Sequence, residues 1–171
     1  MIRLYTRMAP LILLVAGSIT GVFYQTFVFA AETNTQSRPV YAGFYTREGN
    51  NDDMAKASGH NEYIKFYPET RIVRLYIPFP YAQNVTADSV NRAFDAAVKE
   101  STGSAYIKSN FGVMDEPVVA HLDTFRWIED QVMYDCDKPK PCRVEFAENS
   151  MTVIKPGLVL EHKIHYELVR Q

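Results

Sequence analysis

The stretch His60-Asn-Glu-Tyr-Ile-Lys-Phe-Tyr-Pro-Glu-Thr-Arg-Ile-Val-Arg-Leu-Tyr-Ile-Pro78 reads as two β-strands joined by a tight polar turn. Side chains alternate faces along a strand, so residues two apart share a side. Glu62, Ile64 and Phe66 therefore lie opposite Tyr63, Lys65 and Tyr67. After a turn at Pro68-Glu69-Thr70, Val73, Leu75 and Ile77 lie opposite Arg74 and Tyr76. Pro68 suits the turn because its φ is already fixed and it has no N–H to give a ladder. Dense β-branched and aromatic residues disfavour a helix. The pattern lets the apolar faces of the two strands cover one common core.

The N-terminal flank carries an address. Arg3 and Arg7 precede the apolar run Pro10–Ala16, and no acidic residue occurs before Glu32. Val28-Phe29-Ala30 offers the small or modest residues that a signal peptidase reads. Residues 1–30 are accordingly expected to be a signal peptide, residues 31–38 a flexible leader, and residues 39–171 the folded domain, periplasmic or secreted. An uncleaved anchor is the rival, since the apolar stretch is long enough to span a bilayer. Ser18, Thr20, Gln25 and Thr26 weaken it, and no cysteine near the junction supports a lipid anchor. Removal of residues 1–30 takes away Arg3 and Arg7, so the formal net charge moves from −2 to −4. That mild acidity argues against nucleic acid and against attraction of the whole chain to an anionic membrane. No stable membrane insertion is expected after signal cleavage.

Before the hairpin, Val40–Thr46 reads as a first strand in which Gly43 marks a bulge or a close backbone approach. The segment from Glu48 to Gly59 reads as a solvated loop. Its Asn50-Asn51-Asp52-Asp53 run is rich in oxygen donors, but the spacing of a calcium loop is missing. Beyond the hairpin, Thr86 or Asp88 can cap an amphipathic helix. Val90, Ala93, Phe94, Ala97 and Val98 fall on one side of it at helical period and suit packing on a β core. Gly103 is a plausible terminator. Further strands are expected over Ser104–Val113, Val118–Ile128, Gln131–Cys136, Cys142–Ala147 and Met151–Ile154, with a long last strand from Leu158. About eight strands and one amphipathic helix indicate a mainly β fold, an antiparallel barrel or strongly curved sheet.

Cys136 and Cys142 flank Asp-Lys-Pro-Lys-Pro. Behind a signal peptide an even cysteine count favours a disulfide, and neither redox nor zinc spacing is present. Lys138 and Lys140 then stand on a stiff, positive knuckle suited to an acidic protein partner. In the last strand Leu158, Leu160, His162, Ile164, Tyr166 and Leu168 share a face expected to point into the barrel. His162 and Tyr166 there, with Phe66 and Trp127, are candidate ligand-binding residues. His121 and Asp123 share a face with Phe125 and Trp127 and form a possible base and orienter. No metal ligands, cofactor motif, phosphate loop or nucleophile elbow is evident.

The order of strand, polar loop and Tyr63-Ile64-Lys65-Phe66-Tyr67-Pro68-Glu69-Thr70-Arg71-Ile72-Val73, then strands to Tyr166-Glu167-Leu168, resembles small lipocalin-like (calycin) barrels. The resemblance implies a barrel that holds a small apolar ligand or presents its loops to a protein. Three functions are expected in competition: an exported non-enzymatic protein holding a small apolar ligand, a periplasmic protein-binding inhibitor such as an immunity protein against a secreted toxin, and a calycin-type isomerase or decarboxylase using His121 and Asp123.

Overall fold

The computed structural model describes residues 38–79, 81–101, 103–111, 117–129, 131–136 and 139–170. The expected signal peptide, nearly all of the expected leader, and Lys138 lie outside the described residues. Nine strands are present among those described: β1 (Gly43–Arg47), β2 (His60–Tyr67), β3 (Arg71–Pro78), β4 (Ala105–Ser109), β5 (Val118–Ile128), β6 (Gln131–Tyr134), β7 (Cys142–Phe146), β8 (Ser150–Lys155) and β9 (His162–Arg170). Two α-helices accompany them, α1 (Asp53–Ser58) and α2 (Ala87–Glu100), with a single 3-10 turn at Tyr81–Asn84.

Every strand pairing is antiparallel, and each barrel strand lies beside its neighbours in the chain. The sheet closes where β3 pairs with β5, from Arg71↔Thr124 to Tyr76↔Val119. The result is a closed eight-stranded antiparallel barrel, made of all the strands except β4. Closure removes the exposed sheet edges that otherwise invite aggregation. Strand β4 pairs with Val118–Leu122 of β5 on the edge that β3 leaves free, the edge that β6 occupies farther along at Phe125–Ile128.

The hairpin forms as expected, but its two apolar faces do not share a core. Cross-strand partners stand on the same face, and the register sets Glu62↔Tyr76, Ile64↔Arg74 and Phe66↔Ile72. The even-numbered residues of β2 and β3 point into the barrel. Val73, Leu75 and Ile77 point outward and are buried under α2 with Phe44, Tyr63 and Phe94. The hairpin is thus covered on both sides, which is why Glu62, Lys65 and Arg74 are all buried.

Helix α2 starts at a capping box. Thr86 Oγ1 accepts from the Ser89 N–H at 3.2 Å, and Ser89 Oγ accepts from the Thr86 N–H at 2.9 Å. Val90, Ala93, Phe94 and Ala97 form its buried stripe. Buried Lys65 fastens the helix to the barrel: its Nζ donates to Asn91 Oδ1 at 3.2 Å and lies 3.6 Å from Asp95 Oδ1. The helix ends at Glu100 with Ser101 as its cap, so Gly103 is not the terminator.

The segment expected as a loop before β2 contains α1, capped by Asp52 and closed by Gly59 at φ 80°. Its amides act as stand-ins for a strand. Asn50 Nδ2 donates to the Glu62 carbonyl at 2.9 Å, and its Oδ1 accepts from the Glu62 N–H at 3.0 Å. Asn61 Oδ1 accepts from the Asn51 N–H at 2.9 Å. These side-chain groups serve the backbone. At Gly43 an added Cβ would run into the Val169 carbonyl, so the glycine marks a close backbone approach. Cys136 and Cys142 are disulfide-bonded, with Cα atoms 5.8 Å apart.

Candidate functional site at the barrel mouth

The antiparallel register puts the C-termini of β1, β3, β6 and β8 at one end with the N-termini of β2, β5, β7 and β9. The opposite half of the interior is filled. Phe66 sits edge-on to Tyr45, Phe125 and Phe146, with ring centroids 5.9, 5.4 and 5.3 Å away. The barrel's centre is therefore a packed core, and Phe66 is part of its filling rather than the wall of a chamber.

The His60 end is different. Strand register brings four rings into a row across β2, β3, β5 and β4. Tyr106 stands directly opposite His121, while Tyr76 and His60 follow on diagonal positions within aromatic reach. The centroid separations are 4.9 Å for His60–Tyr76, 5.4 Å for Tyr76–His121 and 4.9 Å for Tyr106–His121. With Gly59, Pro78 and Val119 they line a depression of about 360 Å³. That volume lies in the range of small-molecule sites, and the wall is mostly carbon with a few polar tips, as such sites require. The outer rim is open: Tyr106 is 64% exposed.

Beneath the row lies a buried polar relay. Arg74 Nη2 donates to Asp123 Oδ2 at 3.0 Å and its Nη1 to Tyr76 Oη at 3.5 Å. Tyr76 Oη in turn donates to Glu62 Oε1 at 3.4 Å, and Arg47 Nη1 lies 3.6 Å from Glu62 Oε2. The Arg74 guanidinium also sits over the Tyr134 ring, 5.5 Å from its centroid. Two cations thus face two carboxylates, which is the arrangement that makes buried charge tolerable. Burial, reinforced by the Glu62 carboxylate, pushes the Tyr76 and Tyr166 phenols well above their ordinary value. Tyr134 is pushed up by burial as well, against the lowering pull of Arg74. All three hydroxyls are protonated at neutral pH and able to donate. That of Tyr134 is buried without completing a hydrogen bond to the protein, and that of Tyr166 is directed to the Glu62 carboxylate.

Of the residues singled out from sequence, Tyr166 and Phe66 are wholly buried inside the barrel. His162, expected inside, is exposed, because β9 starts only at His162 and the preceding residues form a loop. Leu158 and Leu160, expected on the inner face, are exposed for the same reason. Trp127 faces Val132 near the opposite end and is 41% exposed. None of these six lines the mouth depression. His121 and Asp123 do share the inner face, but the Asp123 carboxylate is held by Arg74. Lys140 is exposed beside a second groove of about 260 Å³, bounded by Thr124, Arg126, Met133 and Pro141.

His60, Tyr76, Tyr106, Glu62 and Arg74 carry no site motif in the sequence. The available signal was the alternation of the hairpin itself. Glu62 and Arg74 interrupt what are otherwise apolar faces, and Tyr76 follows Arg74 at the next position on its face. Among the described residues no cluster of three or more metal-ligating side chains is present, and no helix is long and apolar enough to cross a membrane. No family model matches the chain, and no curated protein or solved structure matches it either.

Proposed function

We propose that this is an exported, non-enzymatic binding protein whose barrel takes a small, largely apolar molecule at the His60 end. The observation that carries this reading is the depression lined by His60, Tyr76, Tyr106 and His121 over a buried polar floor. The aromatic and aliphatic walls supply apolar contact area. Imidazole nitrogens and phenol oxygens at the rim supply directional hydrogen bonds, the division of labour found in small-molecule sites. The Cys136–Cys142 disulfide supports an oxidising compartment.

The test is fluorescence titration with N-phenyl-1-naphthylamine, an uncharged apolar probe. Saturable one-to-one enhancement is expected, weakened about tenfold or more by His121→Ala or Tyr106→Ala, each of which removes ring area from the wall. Equal affinity in the wild type and both variants, or no saturable binding, overturns the reading.

A second reading, an inhibitor that binds a protein partner, is favoured by the exposed Lys140 beside the groove under the disulfide loop. It expects co-purification of one acidic partner and weaker capture by Lys140→Ala.

A further inference from the structure

Three consecutive apolar residues stand in water at the mouth end of the barrel. Leu158, Val159 and Leu160, in the loop between β8 and β9, are 104%, 90% and 74% exposed. Single exposed apolar residues are ordinary, but an uninterrupted exposed run is a feature that needs a use. The loop is tightly built. A Cβ at Gly157 would collide with the Leu160 carbonyl, so the backbone turns back on itself under these side chains.

We propose that this loop docks the barrel, mouth end first, onto an anionic lipid surface. The shape favours lipid: a projecting loop tip carries no groove for a complementary side chain, whereas a fluid interface takes any apolar tip. The surrounding charge agrees. Lys163 follows the loop and is exposed, and Lys140 is exposed on the adjacent loop, since β7 neighbours β8, while the exposed acids of this end, Glu48, Asp52 and Asp53, lie across β9 in the β1–β2 connection. The acid within the loop, Glu161, is already engaged by Arg143 at 3.7 Å. The formal net charge, −4 once Arg3 and Arg7 leave with residues 1–30, does not oppose this, because charges more than about 10 Å away are screened at ordinary ionic strength while nearby lysines act directly. The proposal is independent of the mouth's ligand. If both hold, the bound face is the one through which a lipid-soluble molecule would enter.

The experiment uses the exported form, the chain from residue 31, with vesicles of phosphatidylcholine alone and of phosphatidylcholine mixed with phosphatidylglycerol. The first readout is co-sedimentation. Binding to the mixed vesicles is expected to fall about a hundredfold in the triple variant Leu158→Ser, Val159→Ser, Leu160→Ser, since each apolar side chain withdrawn from water contributes strongly. Lys140→Glu and Lys163→Glu should each weaken it about fivefold, and plain phosphatidylcholine should bind less. The second readout places a reporter in the loop, Val159→Trp in a Trp127→Phe background. A blue shift of its emission on adding mixed vesicles shows insertion of this loop, whatever else in the chain touches lipid. An unshifted reporter, or sedimentation that the triple variant leaves unchanged, overturns the proposal. Capture of a protein partner that is lost in the triple variant, with no blue shift on vesicles, would assign the loop to a protein instead and equally overturn it. All these positions are solvent-exposed, so the variants keep the fold.

Discussion

Replacing Phe66 with alanine separates a filled barrel from a hollow one. The ring is inaccessible to water and has three aromatic neighbours with centroids within 6 Å. Two contributions add when it is removed. The lost transfer free energy of the buried ring is about 2 kcal/mol. The space it leaves, about 100 Å³ if the neighbours hold their places, costs about 2.4 kcal/mol at roughly 24 cal/mol per Å³. The expected loss is therefore about 4 kcal/mol, inside the range seen for large-to-small aromatic substitutions. In urea denaturation with a slope near 2 kcal/mol/M, the midpoint should drop by about 2 M with the slope unchanged. If the alanine variant fails to fold, Phe66→Leu carries the test, with an expected cost of about 1–2 kcal/mol. A side chain that merely lined an open ligand chamber would lose far less. A cost below about 1 kcal/mol for Phe66→Ala would refute the packed centre.

Four further outcomes follow from the geometry. Asp123→Leu strands the Arg74 guanidinium inside the barrel and should cost about 3 kcal/mol, whereas Arg74→Met with Asp123→Leu should return to within about 1 kcal/mol of the wild type; additive losses in a denaturation cycle would refute the coupling. Thr70 holds φ 59° at the hairpin turn, a conformation hard on a β-branched residue. Thr70→Asn should therefore raise stability by about 0.5–1 kcal/mol, read as a higher midpoint. The phenols of Tyr45, Tyr63, Tyr67, Tyr76, Tyr134 and Tyr166 are raised in the fold by burial. Their contribution is thus fully present below the unfolded value near 10 and falls as pH rises beyond it, by up to about 1.4 kcal/mol per pH unit per group. Ultraviolet titration should show these phenolates appearing together with loss of circular dichroism, and their smooth ionisation in a folded protein would contradict the burial. Replacing both Cys136 and Cys142 by serine closes no loop and should cost about 2 kcal/mol, the low end expected for so short a ring. An unchanged melting temperature would remove the loop from the stability account.

Much of the architecture was legible because strand period and turn chemistry act locally. The limits of β5 and the hairpin turn at Pro68-Glu69-Thr70 follow from alternation and from proline alone. What local pattern cannot state is which face meets which layer. The hairpin's two apolar faces look equivalent in sequence, yet one fills the barrel and the other lies under α2, a matter decided by closure between β3 and β5. The same limit misplaced His162. Alternation runs on from Tyr166 through Leu158 without a break, but Pro156-Gly157 and the exposed residues after them belong to a loop, so the pattern outlasts the strand. The mouth was missed because its residues come from four strands and none is unusual alone. His60, Tyr76, Tyr106 and His121 become a site only through register.

Closure of the barrel is the claim on which the packed interior, the mouth and the orientation of the loops all rest. Nuclear Overhauser contacts between β3 and β5 test it most directly. A closed barrel gives contacts that place Arg74 opposite His121 and Ile72 opposite Asp123, with slowly exchanging amides along both strands and a protected Phe125 N–H bonded to the Thr70 carbonyl at 2.7 Å. Rapid exchange along that seam, with β3 and β5 each paired on one edge only, would describe an open sheet and contradict it.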